Sequence, residues 1–308
     1  MPAKSLLYRM VATTLPVVPR PLVKTFGRRY VAGESMAEMV SVVQRLNGIG
    51  ARCTVDLLGE FITGMDQAEA TLRAYLDILD TLHARGLNAN VSVKLTALGL
   101  LLDEAACLAH MRTLVAHAKT LGNFVRIDME DSACTDRTLA LYLALRREYD
   151  NVGIVLQAYL HRTLNDMHDL VREDAGHFRL CKGIYKEPAA IAFQDEDINR
   201  NYLHVLEAMF QQGAYVGIAT HHHDLVTGAK ALIEKYNVPK TGYEFQMLLG
   251  VDAALRDSLL EEGHPLRIYV PFGEEWYAYC LRRLKENPDI VGHILGNLLK
   301  PGGNRRVA

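Results

Sequence analysis

The chain has 308 residues, about half of them apolar and 23% charged, with a formal net charge of −2. That is enough material for a large globular core, as two domains or one large α/β barrel, and the charge gives no general reason to expect a nucleic-acid partner. Cys53, Cys107, Cys134, Cys181 and Cys280 are odd in number, widely spaced and without a C-x-x-C pair. They argue against a disulfide framework or structural zinc and fit a reducing compartment.

The first 33 residues carry Lys4, Arg9, Arg20, Lys24, Arg28 and Arg29, with no acidic residue before Glu34. Such a segment reads as a transit-like stretch, a membrane-surface contact or a helical extension packed on the domain. Pro16, Pro19 and Pro21 interrupt it, and it falls short of the ~18 consecutive apolar residues of a membrane span. The expected organisation is a basic helical segment over 1–45 and one catalytic domain over 46–308, with no linker between.

From residue 51, short β-branched runs alternate with stretches of helical period. Arg52–Leu57 is predicted as a strand and Gln67–Arg85 as a helix, followed by strand Asn90–Leu95, helix Glu104–Lys119, strand Phe124–Asp128 and helix Thr135–Tyr149. Further strands are predicted at Gly153–Gln157, Phe178–Lys182, Tyr215–Ala219, Glu244–Met247 and Arg267–Val270, each followed by a helical segment. Eight β-then-α units point to a (β/α)8 TIM-like barrel with an N-terminal helical extension, a doubly wound sheet being the alternative.

A barrel's chemistry belongs at the C-terminal ends of its strands. Those ends carry Glu60, Lys94, Asp128, Gln157, Arg179 with Lys182, Thr220 with His221, Gln246 and Tyr269. Beyond the last strand, Tyr279, Arg282, Arg283 and Glu286 share one helix face at i, i+3, i+4 and i+7. This stripe is either a solvated salt-bridged face or a two-arginine clamp for a carboxylate or phosphate. The inventory is cation-rich and suits an anionic ligand. No G-x-G-x-x-G or Walker pattern is present, so any nucleotide must be held by the barrel itself. Lys94 is also open to a Schiff-base role in a lyase or aldolase. His221-His222-His223-Asp224 is a poor metal set, because neighbours on extended chain diverge, and His222 and His223 are expected to be exposed.

Ten motifs in order resemble the monofunctional bacterial proline dehydrogenases: YVAGES at 30–35, DLLGE at 56–60, SVKLTALG at 92–99, RIDMED at 126–131, LQAY at 156–159, RLCKGIY at 179–185, ATHH at 219–222, YEFQMLLG at 243–250, RIYVPFG at 267–273 and Y-x-x-R-R-x-x-E at 279–286. The resemblance implies an FAD-dependent barrel that oxidises L-proline to Δ1-pyrroline-5-carboxylate and passes electrons to a membrane quinone. It implies that Arg282 and Arg283, helped by Lys94, hold the proline carboxylate, with Tyr269 and Tyr279 walling the ring and Glu60 gating Arg282. Arg179 and Asp128 would lie beside the reacting atoms. Met129, Gln157, Lys182, Gly183, Ile184, Thr220, His221, Gln246 and Glu286 would contact the cofactor. Ile184 departs from the alanine usual after Lys-Gly. The same resemblance implies a bacterial cytoplasmic enzyme, peripheral to the inner face of the cell membrane rather than mitochondrial, whose product passes to a pyrroline-5-carboxylate dehydrogenase.

Overall fold

The computed structural model describes residues 27–59 and 62–286, with side chains described as far as residue 281. Helix α1 (Met36–Gly48) leads into β1 (Arg52–Leu57), α2 (Met65–Ala84), β2 (Ala89–Val93), α3 (Glu104–Thr120), β3 (Val125–Ile127), α4 (Thr135–Arg146) and β4 (Val152–Gln157). The chain continues through α5 (Thr163–Arg172), β5 (His177–Cys181), α6 (Glu196–Gln211), β6 (Tyr215–Ala219), α7 (His223–Lys235), β7 (Tyr243–Leu248), α8 (Ala253–Glu261), β8 (Leu266–Phe272) and α9 (Trp276–Glu286). The strands pair in sequence order into one closed barrel. It closes where β8 runs parallel to β1, from Arg52 opposite Arg267 to Leu57 opposite Phe272.

The expected barrel is therefore the one observed, with shifted ends. β2 stops at Val93 and β3 at Ile127, so Lys94 and Asp128 are the first residues of the loops above the strands. Lys182 likewise stands just past β5. Helix α4 ends at Arg146 rather than Tyr149, and just past its end the Glu148 amide makes a tighter i−3 bond to the Leu145 carbonyl.

Helix α1 starts where Ser35 and Glu38 form a capping box: Glu38 N donates to Ser35 Oγ and Ser35 N to Glu38 Oε2. Its buried face, Met39, Val40, Val43 and Leu46, joins the main core. Ahead of it, the Ala32 amide bonds the Pro271 carbonyl and the Gly273 amide bonds Gly33, tying this segment to the C-terminal end of β8. Residues 1–26 and the C-terminal residues from 287 lie outside the described residues.

Strand alternation divides the barrel. Cys53, Val55, Val91, Val93, Val125, Ile127, Phe178 and Leu180 are buried in the main core with the helices' apolar faces, each large one contributing about 1.5–3 kcal/mol. The opposite parity holds Thr54, Asp56, Asn90, Ser92, Arg126, Arg179, Glu244 and Gln246, all buried. A barrel interior is usually filled by branched apolar side chains. This one is polar, and it is tolerated because its groups bond one another. Thr54 Oγ1 donates to Asn90 Oδ1 at 2.5 Å, and Arg267 Nε donates to Glu244 Oε1 at 2.5 Å. Arg126 donates to the carbonyls of Ile154 (3.1 Å) and His177 (2.8 Å) and to His177 Nδ1 (2.9 Å). Burial, with Arg126 beside it, pushes the His177 pKa well below its ordinary value and keeps the ring neutral. Glycines make the room, since a Cβ at Gly153 would meet the Arg126 guanidinium and one at Gly217 the Gln246 amide.

Candidate active site

Strand parity carries Asp56, Ser92, Arg179, Gln246 and Tyr269 to the upper end of the barrel, where Lys94 and Asp128 join them. The Asp128 carboxylate accepts from Ser92 Oγ (2.6 Å) and Arg179 Nη1 (2.7 Å) through one oxygen and from Tyr269 Oη (2.8 Å) through the other. Burial alone would raise its pKa, but Arg179, Lys94 and the hydroxyl bonds hold it below the usual carboxylate value. Arg179 also donates Nε to Gln246 Oε1 at 2.5 Å and stands 5.2 Å from the Tyr269 ring centre, over its face. Lys94 Nζ lies 3.1 and 3.2 Å from the two oxygens of Asp56 and 3.8 Å from Asp128 Oδ2.

These groups floor a cavity of about 960 Å³ at the C-terminal ends of the strands. The wall continues through Met129, Gln157, Lys182, Gly183, Ile184, Thr220, His221, Gln246 and Tyr279. The cavity thus gathers Lys94, Asp128, Tyr269 and Arg179 at one end and the remaining described candidates around it. Gln157 Nε2 is anchored on the Glu130 carbonyl at 2.8 Å. Burial lowers the pKa of Lys182. Gly183 has φ +107°, a left-handed conformation, and a Cβ there would run into the ring of Tyr159. Ile184 is 56% exposed at the rim, so its extra bulk over alanine meets little protein. Glu60 lies outside the described residues, as do the side chains of Arg282, Arg283 and Glu286, whose backbone continues α9.

The histidine run separates as extended chain requires. His221 Nε2 accepts from the Leu248 amide at 2.8 Å, and exposed His223 reaches Asp252 at 3.0 Å. His222 departs from expectation: its amide donates to Thr220 Oγ1, and the residue is partly buried and lines the cavity.

Asp56 is the largest omission from the sequence reading. With it, the cation-rich inventory becomes, at the floor, two cations against two carboxylates. The signal was the alternation Arg52-Thr54-Asp56, which assigns the aspartate to the barrel interior, beside Ser92 across the ladder. Ser92 itself follows from the same parity in Asn90-Ser92-Lys94. Tyr185 and Lys186, which also line the cavity, lie on a loop where no period applies.

A closed parallel barrel with a charged floor and a large cavity at the strand ends is the architecture of a barrel enzyme. Comparison with known proteins gives the family: the proline dehydrogenase family model matches residues 39–294. Proline dehydrogenase 1 of Bacillus subtilis is 35% identical over 275 residues, covering 89% of this chain and 91% of that protein. Proline dehydrogenase of Deinococcus radiodurans is 34% identical over 308 residues, covering 96% and 98%. The solved structure of proline utilization A (PutA) from Bdellovibrio bacteriovorus, inactivated by N-propargylglycine, superposes with a TM-score of 0.81 over 91% of this chain and 34% of that one. At 24% identity that likeness speaks for the fold alone. The chain belongs to the proline dehydrogenase family and is an enzyme that oxidises proline.

Proposed function

We propose that the chain oxidises L-proline to Δ1-pyrroline-5-carboxylate with FAD as hydride acceptor, and that a membrane quinone then takes the electrons. The observation that carries this reading is the cavity: about 960 Å³ is far more than a five-membered amino acid fills and has room for a second, larger group. The residues fit a flavin dinucleotide. Gly183 puts backbone on the cavity wall, Lys182 and Lys186 offer positive charge to phosphates, and Met129 with buried Gln157 supplies a partly apolar wall.

When bound, FAD supplies a two-electron acceptor for hydride. The protein's task is to hold and orient the substrate against it. Arg282 and Arg283 are assigned to the proline carboxylate with Lys94, while Tyr269 and Tyr279 wall the ring. Arg179, fixed by Asp128 and Gln246, presents a positive group where negative charge collects during hydride transfer. Glu60 is assigned to pair with Arg282, and Thr220, His221 and Glu286 to contact the cofactor. The Schiff-base alternative is not favoured, since Lys94 is salt-bridged to Asp56, the opposite of the free amine that chemistry needs.

The basic stretch before residue 30 is assigned to the anionic surface of the bacterial cell membrane, where a cytoplasmic enzyme meets its quinone. The product then passes to a pyrroline-5-carboxylate dehydrogenase. The visible spectrum of the purified protein tests the central claim. A flavin band that bleaches anaerobically with L-proline is the expected result; a colourless protein that oxidises proline would remove FAD.

A further inference from the structure

Oxidation of proline requires its ammonium to lose a proton before the ring nitrogen can push hydride off the neighbouring carbon. Asp128 is a poor acceptor for it. Its oxygens are engaged by Ser92, Arg179 and Tyr269, and these charge-assisted bonds stabilise the anion. Asp56 is different. It lines the same cavity, is 1% exposed, and its bonded partner is the ammonium of Lys94, at 3.1 and 3.2 Å. Of the other groups facing it, the Tyr269 hydroxyl lowers its pKa, but by less than burial and Asp128 raise it. Asp128 repels it, the Tyr269 hydroxyl donates to Asp128, and the Tyr75 hydroxyl of α2 donates to the Ser92 carbonyl.

We propose that Asp56 is the proton acceptor for the substrate ammonium, acting through Lys94. Lys94 passes one of its ammonium protons to an Asp56 oxygen, and the lone pair so freed on Nζ takes a proton from the substrate ammonium. One N–H bond of the substrate breaks and one forms at Nζ; one N–H bond of Nζ breaks and an O–H bond forms at Asp56. Lys94 stays charged, Asp56 becomes neutral, and the substrate nitrogen keeps the electron pair that forms the carbon–nitrogen double bond as hydride leaves for the acceptor. A carboxylate buried beside a second carboxylate gains stability on neutralisation, and the substrate's own carboxylate, one carbon from the amine, brings that amine within reach of Lys94. Burial raises the Asp56 pKa to about 6, with Lys94 opposing and Asp128 adding to the rise.

The inference rests on the proposed proline oxidation, and the test separates the two. The pH profile of kcat/KM for proline is expected to show an acid limb near the Asp56 value of about 6. In Asp56→Asn the limb should give way to a rise across the whole range, because only the free-amine fraction of the substrate reacts, with a loss on the order of 10²-fold or more at neutral pH. Asp56→Glu should keep a limb. Independently of turnover, carbon-13 NMR of γ-labelled aspartate should show a signal, absent from Asp56→Glu, that protonates near the same pH. Wild-type turnover with an unchanged limb in Asp56→Asn, or an Asp56 signal that stays ionised through the limb, would overturn the inference alone. Wild-type protein that leaves proline unoxidised would remove the proposed function and the inference together.

Discussion

Arg179 Nε donates to Gln246 Oε1 at 2.5 Å while Nε2 of the same amide donates to Glu244 Oε1 at 2.7 Å, so only one orientation of the amide satisfies both neighbours. Glu244 in turn accepts from Arg267. The direction of Arg179 at the mouth is thereby set from the middle of the barrel. Gln246→Met keeps the volume and removes the bond. It is expected to lower kcat/KM by about tenfold to hundredfold, ~1.4–2.8 kcal/mol, with the fold retained by circular dichroism.

Asp128 is held ionised, and that has a sign in stability. A carboxylate whose folded pKa is depressed contributes above its unfolded value, and the contribution is lost as pH falls through the folded one. Asp128→Asn leaves Arg179 without its carboxylate and should cost about 3–5 kcal/mol at pH 7 by denaturant unfolding. The gap from wild type should begin to narrow only below the ordinary value of 3.8.

Gly183 answers to two constraints, its left-handed backbone and the ring of Tyr159. Gly183→Ala is expected to lower Tm, at a cost of about 1–3 kcal/mol, and to loosen the proposed FAD, read as flavin lost on gel filtration. Adding Tyr159→Ala should relieve the clash and leave the backbone strain, recovering only part of the loss.

The two arginines of α9 are assigned to the substrate carboxylate. Arg282→Met and Arg283→Met should each raise KM for proline strongly, by an amount equivalent to roughly 2–5 kcal/mol, with the protein still folded and yellow. Normal KM values in both variants would return that helix face to a salt-bridged surface.

Membrane contact is assigned to the basic N-terminal stretch. Deletion of residues 1–26, which removes four of the six basic residues of that stretch, should weaken sedimentation with phosphatidylserine-containing vesicles by about tenfold or more while leaving dye-linked proline oxidation in solution unchanged. In the intact chain the binding should weaken at high salt, as charge attraction to a lipid surface does.

The barrel was legible because its signal is local. Eight runs such as Arg52–Leu57 and Tyr215–Ala219 alternate with helical stretches, and each run's parity depends on residues two apart. Motif order was equally legible, and it led to the family that the comparisons bear out. Strand ends were not, since whether Lys94 or Asp128 continues a ladder depends on a neighbouring strand far away in sequence. Asp56 shows the difference most clearly. Its type and inward parity were in the chain from the start, but its value as a partner of Lys94 arises across 38 positions of sequence. His222 shows the same limit at shorter range, because no sequence pattern marks the partly buried place it takes in the cavity wall. Sequence alone determined the fold, the family and the residue types available at the mouth. Only tertiary structure decided that the floor is charge-balanced, with one carboxylate saturated by donors and the other bonded to a lysine, because charge and burial depend on distances that closure of the barrel creates.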